Sequence, residues 1–258
     1  AGAIGVEFAY FFNAFGTKIT LLEAQENILA NEDVEISQWM QKVLKRKKID
    51  IQTNTIANEI DDEHILVSIG VEGNSNGLGL ENIGVDIGTN QHIEVNEDGQ
   101  TNIDNIYAVG DVIGPPWLAH VSSSEGLYVA ENIANLNPKK INYDCIPACT
   151  YSKPEIGSIG FNQQKLDQQG INYKIAKSFF NANGRAVASG STDGFIKILV
   201  SDDNLILGAH IIGANATEMI SEFSLAMSNK LTIENILSAV HPHPTFSEAI
   251  FETLMQLK

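Results

Sequence analysis

The pattern that most constrains the fold lies at the start of the chain, where a helix that begins on glycine is followed by a strand that ends on an acid. Gly2 and Gly5 precede an apolar run that stops at Gly16, and residues 17–23 read as a strand ending in Glu23. This order is typical of the second half of a dinucleotide-binding βαβ unit, whose helix N-terminus offers free N–H groups to a pyrophosphate. We expect Gly2 to let the backbone approach that pyrophosphate and Gly5 to let the helix pack closely on the strand. The first strand and the first glycine of such a unit are not in the sequence.

The acid at the end of this strand favours NAD over NADP. Glu23 lies eighteen residues past Gly5, where a carboxylate of this fold binds the ribose hydroxyls of adenosine. A carboxylate at that place would repel a 2′-phosphate. A purely structural glutamate at the end of a strand is the alternative that the pattern leaves open.

Two later strands are predicted to end at cofactor positions. Residues 64–70, which follow a short segment at 58–60, end in Gly70, and residues 106–111 end in Asp111. Parallel sheets place ligands at the carboxyl ends of their strands. We therefore expect Gly70 beside a nicotinamide and Asp111 on a polyol such as ribitol.

A helix is predicted to begin near His120 and to continue through Glu125 and Val129. Its N-terminus would direct partial positive charge toward the group bound at Asp111. A flavin pyrimidine gathers negative charge on reduction and would suit that place. His120 itself is interpreted as a capping or supporting residue rather than as a base.

The pattern changes near residues 138–143, beyond which strands come first and helices follow. The predicted strands are 156–161, 173–180, 195–200 and 205–212, and the predicted helices are 217–229, 233–239 and a last helix that follows Thr245. This grouping predicts an α+β domain whose sheet has one open face.

A histidine between two prolines lies close to the end of the chain. Pro242 and Pro244 hold the backbone of His243 extended. Thr245 and Glu248 have the spacing of a capping box that would start the last helix. Two interpretations stay open: Glu248 is only a capping carboxylate, or it holds and polarises His243 as a base.

Composition argues against several classes of function. The formal net charge of −16 argues against binding to nucleic-acid phosphates, and the basic run 45–48 is explained as the end of an amphipathic helix. The sequence has no apolar run of about 18 residues and no secretion signal, so we predict neither a membrane span nor export. Cys145 and Cys149 have neither zinc-knuckle nor thioredoxin spacing, so buried free thiols are expected and no metal site is predicted.

Three signatures in one order resemble the flavoprotein disulfide reductases, and within them the dihydrolipoamide dehydrogenases. They are residues 2–7 with 20–23, residues 107–111 with 118–120, and residues 241–245 with 247–248. The family's interface domain is resembled at Tyr151, 154–155, Gly160, 183–186 and 208–213. The resemblance covers essentially the whole chain. It implies a truncated, Rossmann-like α/β nucleotide-binding portion followed by an α+β dimerisation domain with an antiparallel sheet.

The same resemblance implies a role for each segment. Residues 1–85 would be an incomplete NAD-binding domain, residues 86–140 a returning segment of the FAD-binding or central domain, and residues 141–258 the dimerisation domain. The residues that would hold NAD are Gly2, Ala3, Ile4, Gly5, Val6, Glu7, Glu23 and Gly70. The residues that would border FAD are Asp111 on the ribityl chain, Trp117, Leu118, Ala119 and His120.

The resemblance also implies the chemistry. His243 would be the base that takes a proton from a dihydrolipoamide thiol, and Glu248 would orient it. The site would be shared with the other subunit of a homodimer. Electrons would pass through a cysteine pair and FAD to NAD+.

The sequence departs from the family in several places. It lacks the N-terminal flavin domain and the paired redox cysteines, and Cys145 and Cys149 differ from that pair in spacing and location. The NAD portion is short, and residues 71–74 replace an Arg-rich turn. We therefore expect a fragment, or the ordered remainder of a longer chain, that is inactive alone.

The main expectation is a dihydrolipoamide dehydrogenase that serves the acyltransferase core of a 2-oxo acid dehydrogenase complex. We expect it in the bacterial cytoplasm, or in the mitochondrial matrix if the source is eukaryotic. A glutathione or mercuric reductase is a weaker alternative, because Glu23 stands where glutathione reductases favour basic residues for NADP. A non-catalytic dimerisation or docking fragment is the other alternative.

Overall fold

The computed structural model describes residues 1–58 and 60–258, so Glu59 of the short segment 58–60 lies outside the described residues. The chain divides into two compact units, the first made of Ala1–Ile69 with Asp144–Lys258 and the second of Gly70–Tyr143. Within the described residues, no helix combines the length and the apolar character that a membrane crossing requires. The assignment of residues 1–85, 86–140 and 141–258 to three functional domains stays a prediction.

The first segment of unit 1 alternates helices and strands. Its elements are helix α1 (Ala3–Ala14), strand β1 (Thr20–Leu22), helix α2 (Val34–Arg46) and strand β2 (Asp50–Gln52). The two strands pair in parallel, as strands joined by a helical crossover do. Helix α2 begins after Asp33, whose carboxylate accepts the Glu35 N–H at 3.0 Å. The predicted α/β character of this segment is confirmed.

Residues 64–70 do not form the predicted strand. β1 and β2 make a two-stranded sheet, and among the described residues no strand pairs with 64–70. Ile65, Val67 and Ile69 are 52%, 71% and 93% exposed. An apolar run becomes a buried strand only where a neighbouring strand forms hydrogen bonds with its backbone N–H and C=O groups and other elements cover both of its faces. The prediction is wrong because the run has no such neighbour.

Unit 2 is built mainly from turns and one long helix, α3 (Ala119–Ile133). The prediction of a strand at residues 106–111 is wrong. Tyr107 makes an isolated antiparallel bridge to Gln100, and the chain then enters a 3-10 turn at Gly110–Ile113. The glycine that opens this turn has φ 77°, which takes the backbone out of the extended conformation.

The second segment of unit 1 is an antiparallel sheet with helices. Its elements are β3 (Ala148–Thr150), β4 (Glu155–Gly160), α4 (Gln163–Gln169), β5 (Lys174–Phe179), α5 (Gly184–Ser189), β6 (Phe195–Val200), β7 (Ile206–Gly213), α6 (Ala216–Ser228), α7 (Ile233–Ser238) and α8 (Glu248–Leu254). The five strands lie in the order β3-β4-β7-β6-β5. The four predicted strands and the three predicted helices are confirmed. The sequence analysis did not predict β3, α4 and α5.

Both faces of this sheet are covered, whereas the sequence predicts one open face. One face packs on α6 and α8, where Phe223 and Ile250 are fully buried. On the other face, Ile156 and Phe195 join a buried cluster with Met40 of α2. The prediction of an open face is wrong because the covering layer comes from the first segment of the chain, which is distant in sequence.

A row of polar side chains crosses the face that packs on α2. The row consists of residues opposite one another on four neighbouring strands: Ser158, His210, Lys197 and Lys177. The Ser158 hydroxyl donates to Glu32 Oε1 at 3.0 Å, and His210 Nε2 lies 3.0 Å from the Phe161 carbonyl oxygen. Burial lowers the pKa of His210, so the ring is neutral near neutral pH. The two lysines therefore carry the positive charge of the row.

Lys197 forms a buried ion pair with Asp33, and this pair joins the sheet to the start of α2. Its Nζ donates to the two Asp33 oxygens at 3.0 and 2.9 Å and to Gln163 at 2.7 Å, and it lies 2.9 Å from Glu35. The side chains of Lys197 and Asp33 are 0% exposed. Burial by itself would raise the pKa of Asp33, but the neighbouring His210 and Lys197 lower it below its usual range. Because His210 is neutral, we assign this effect to the Lys197 ammonium.

Glu32 makes the stability of unit 1 depend on pH. Burial raises the pKa of Glu32 from 4.5 to about 7, against the Ser158 hydrogen bond and with help from the charge of Asp33. The folded state therefore keeps a proton that the unfolded chain releases between these two values, and the free energy of unfolding falls as pH rises through that window. Glutamine cannot titrate, so the variant should not lose this stability as pH rises. The free energy of unfolding of Glu32→Gln minus that of the unchanged chain should therefore increase by roughly 2 to 3 kcal/mol from about pH 5 to about pH 8. Urea unfolding at both pH values measures this difference.

The matched control is Glu26→Gln, an exposed acid on the same loop. Its difference from the unchanged chain should be the same at the two pH values. If Glu32→Gln behaves as this control does, Glu32 does not hold a proton in the folded state.

Candidate functional site

His243 and Glu248 form a hydrogen-bonded pair at the surface of unit 1. His243 Nδ1 lies 2.8 Å from Glu248 Oε1, and the two side chains are 78% and 22% exposed. The second oxygen of the carboxylate accepts the Thr245 N–H at 2.8 Å. The Thr245 N–H and His243 both lower the pKa of Glu248, so this group is an anion at neutral pH. With Nδ1 held by the carboxylate, Nε2 is the nitrogen of the exposed ring that is left to exchange a proton with a substrate.

Glu248 contacts the partners named in both sequence interpretations, Thr245 and His243, and the role of His243 as a base stays a prediction. Half of the predicted capping box is present, because Glu248 accepts the Thr245 N–H. The other half is absent, since the Thr245 hydroxyl donates to the Pro242 carbonyl oxygen at 2.7 Å and α8 begins only at Glu248. One carboxylate therefore binds the Thr245 N–H just before α8 and holds the imidazole at the same time.

A buried asparagine that the sequence analysis did not single out fixes this segment from the other side. Asn183 Nδ2 donates to the Thr245 carbonyl oxygen at 3.1 Å, and Asn183 Oδ1 accepts the Ala186 N–H at 2.9 Å. Asn183 is 1% exposed. It lies in the motif 183–186, so the sequence signal was present, but its contact with Thr245 spans 62 residues and has no local pattern.

An open cavity of about 540 Å³ adjoins the same segment. Its lining combines one cation, hydroxyl and amide groups and apolar surface, from Arg185, Asn215, Met219, Pro244, Thr245, Phe246 and Ser247. The cavity lies within unit 1. Its position gives a ligand room beside the residues that carry His243.

The start of α1 has the geometry expected of a nucleotide-binding turn. A Cβ on Gly2 would have nothing within 4 Å, whereas a Cβ on Gly5 would come within 2.9 Å of Ser68 Oγ. Gly2 therefore leaves open space before a helix whose first N–H groups have no acceptor within the helix. Gly5 lets α1 pack closely, although its near neighbour is Ser68 as well as the Leu21 side chain of β1.

The two acids of this region have partners. Glu23 accepts the Gln25 N–H at 2.9 Å. Glu7 accepts the Tyr151 N–H at 2.7 Å and so ties α1 to the end of β3. Ala3, Ile4 and Val6 lie in the first turns of α1, and only Val6 is buried.

The remaining candidates lie in unit 2. Gly70 is exposed with φ 122°, and Asp111 is exposed in its 3-10 turn. The flavin candidates cluster at the start of α3: Trp117, Leu118 as the residue before the helix, and Ala119 and His120 as its first residues. Trp117 is 39% exposed.

Glu125 was assigned only to a helix by sequence reasoning, yet it organises this part of unit 2. It is 6% exposed, accepts the Gly110 N–H at 2.7 Å and accepts the Tyr143 hydroxyl at 2.7 Å. Burial and this bond raise the pKa of Tyr143 to about 12. Glu125 thus fixes the glycine that precedes Asp111.

The described residues fit one edge of each implied cofactor. An open helix N-terminus with a nearby carboxylate suits the adenosine and pyrophosphate of NAD. An exposed carboxylate and a helix start suit a polyol and the electron-rich side of a flavin.

The two cysteines are not joined in a disulfide. Cys145 is buried as predicted, Cys149 only half-buried, and burial raises the pKa of Cys149, which disfavours the reactive thiolate.

Two sequence models of one family match the chain. The model described as "Pyridine nucleotide-disulphide oxidoreductase" matches residues 1–126, and the model of its dimerisation domain matches residues 146–254. Dihydrolipoyl dehydrogenase from Bacillus subtilis is 41% identical over 98% of this chain and 58% of the relative. Dihydrolipoyl dehydrogenase from Zymomonas mobilis is 38% identical over 99% of this chain and 59% of the relative.

Solved structures resemble the whole chain. The HOCl-induced flavoprotein disulfide reductase RclA from Escherichia coli has a TM-score of 0.89 and 26% identity, covering 100% of this chain and 63% of its own. LpdA from Mycobacterium tuberculosis has a TM-score of 0.92 at 23% identity, covering 100% and 60%, and this likeness concerns the fold alone. The chain spans about three-fifths of the length of the curated relatives it matches.

Proposed function

Because the chain belongs to the pyridine nucleotide-disulphide oxidoreductase family, we propose that the whole protein is an NAD-dependent dihydrolipoyl dehydrogenase. In this proposal the chain supplies the thiol base, part of the NAD site, one edge of the FAD site and the dimerisation domain. The observation that carries the proposal is the exposed His243 held by Glu248 through Nδ1 at 2.8 Å.

The pair has the chemistry that dihydrolipoamide oxidation requires. Only a thiolate attacks a disulfide, and a thiol is mostly protonated near pH 7. An imidazole titrates in this range, and a carboxylate on one ring nitrogen sets the tautomer and stabilises the cation that forms at the other. His243 would therefore accept the thiol proton at Nε2, while Glu248, kept ionised by the Thr245 N–H, would stabilise the imidazolium.

The cofactors of the proposal are FAD and NAD. When bound, they would supply the two-electron transfer that side chains lack. The free N–H groups that follow Gly2 would take the pyrophosphate of NAD and Glu23 the ribose hydroxyls, while Gly70 would lie by the nicotinamide. Ala3, Ile4, Val6 and Glu7 complete the proposed NAD set; Asp111, Trp117, Leu118, Ala119 and His120 make up the proposed FAD set.

A homodimer is the proposed assembly. The dimerisation-domain match over residues 146–254 and the outward position of His243 favour a site completed by a second copy. We extend the proposal to docking on the acyltransferase core of a 2-oxo acid dehydrogenase complex, and to the bacterial cytoplasm, since the relatives named above are bacterial. The alternative is a non-catalytic dimerisation role, which the dimerisation-domain match over residues 146–254 would also fit.

The experiment that tests this function uses the protein with its flavin-binding portion. We expect dihydrolipoamide to reduce NAD+ much faster than NADP+. Glu23→Gln should raise KM for NAD+ about tenfold, because a charge-assisted bond to the ribose is lost.

Glu26→Gln is the matched control for this variant, since Glu26 is exposed three residues further along the chain. It should leave KM unchanged. A preference for NADP+ would contradict the role of Glu23 and favour a reductase of the glutathione type.

A further inference from the structure

A second histidine–carboxylate pair lies beside the first. His241 Nε2 is 3.0 Å from Glu222 Oε1 of α6, and the two side chains are 8% and 31% exposed. His241 precedes His243 by two residues with Pro242 between them. In contrast to His243, this ring is buried and faces its own chain, so it cannot be a second base for an outside substrate.

The burial of His241 contrasts with that of its neighbours. Val240 is 96% exposed, and the His243 side chain is 78% exposed. His241 is thus the first residue after the end of α7 at Ser238 that is not exposed, and its side chain is 8% exposed. It is the point at which an otherwise exposed segment is fixed to the fold before the base is presented.

His241 also contacts the helix that carries Glu248. Its ring centroid lies 6.0 Å from that of Phe251 of α8, at an interplanar angle of 52°. One ring therefore links α6, through Glu222, to the first turns of α8.

We propose that His241 and Glu222 are positioning residues that hold the His243–Glu248 pair in its reactive arrangement. The inference rests on the proposed function. Pro242 transmits the position of one histidine to the next because its ring limits the backbone between them. A base displaced by about 1 Å can lose a hundredfold in rate, so a rigid anchor two residues away has a measurable effect.

The first readout is kinetic and uses the full flavin-containing protein. His241→Phe keeps the ring against Phe251 and removes the bond to Glu222. It should lower kcat roughly 10- to 100-fold with KM for dihydrolipoamide within about twofold. Glu222→Gln keeps a side chain that can still hydrogen-bond His241, and kcat should stay within about threefold of the unchanged enzyme.

The second readout needs neither cofactor nor turnover and uses this chain. Nitrogen–proton correlation spectra of the histidine rings report which nitrogen of His243 carries the proton. In the unchanged chain we expect the proton on Nδ1, toward Glu248, and in His241→Phe a mixture of the two tautomers. Glu218→Gln, an exposed acid one turn earlier on α6, is the matched control and should change neither readout.

The outcomes separate this inference from the proposed function. An unchanged tautomer in His241→Phe, or a loss of kcat no greater than in Glu218→Gln, overturns the positioning role. If the unchanged protein does not oxidise dihydrolipoamide, the proposed function fails and the tautomer readout still decides the inference. If His241→Phe does not fold, Glu222→Ala removes the same hydrogen bond by truncating its more exposed partner. This variant is then judged by the same two readouts.

Discussion

Replacement of His243 by glutamine is expected to lower the dihydrolipoamide-dependent reduction of NAD+ by roughly a thousandfold in the flavin-containing protein. Glutamine can hydrogen-bond Glu248 but cannot accept a thiol proton near neutral pH. Steady-state kinetics over a range of dihydrolipoamide concentrations measure the loss. Flavin absorbance should be unchanged, because His243 is not among the residues proposed to hold the flavin.

Two controls sharpen this test. Reduction of the flavin by NADH needs no thiol proton transfer and should proceed at its usual rate in His243→Gln. His64→Gln, at an exposed histidine of the first segment, should leave turnover intact. Full turnover in His243→Gln would remove the catalytic assignment and leave the dimerisation role as the better explanation of the chain.

Replacement of Lys197 by methionine is expected to lower the free energy of unfolding of the chain by about 3 to 5 kcal/mol. Methionine has a similar length but leaves the fully buried Asp33 carboxylate without the ammonium that it contacts at 2.9 and 3.0 Å. An uncompensated buried charge is far more costly than a lost surface pair. Urea unfolding followed by circular dichroism measures the change.

Two lysines of the neighbouring strand β5 provide graded controls. Lys177 contacts Glu35 at the rim of the cluster, where its side chain is 25% exposed, so Lys177→Met should cost about 1 kcal/mol or less. Lys174→Met, at an exposed position of the same strand, should stay within about 0.5 kcal/mol. Equal losses of unfolding free energy at all three positions would mean that the buried pair with Asp33 contributes no more to stability than an exposed lysine does.

Several parts of the fold could be predicted because their signals are local. The strand 195–200 was predicted at its observed bounds, since a run of apolar and β-branched residues bounded by turns needs no knowledge of distant residues. The same holds for α1 with its opening glycine. The pairing of His243 with Glu248 was proposed from a spacing of five residues and is present at 2.8 Å.

Other parts could not be predicted because they depend on partners far away in the chain. Residues 64–70 and 106–111 have the composition of buried strands, yet no ladder forms for either among the described residues. Nothing in the sequence marks Asp33 as the partner of Lys197, 164 residues away. A charged pair of this kind is recognised only when both side chains are seen to be buried.

The sequence by itself determined the local elements of the dimerisation segment, the glycine-opened helix and the pairing of an imidazole with a nearby acid, because each depends on groups a few residues apart. Only the tertiary structure decided which runs became strands, which sheet face was covered, and that His241 pairs with Glu222. These outcomes depend on contacts between segments separated by tens of residues or more. Their free energy comes from burial and pairing that no local pattern encodes.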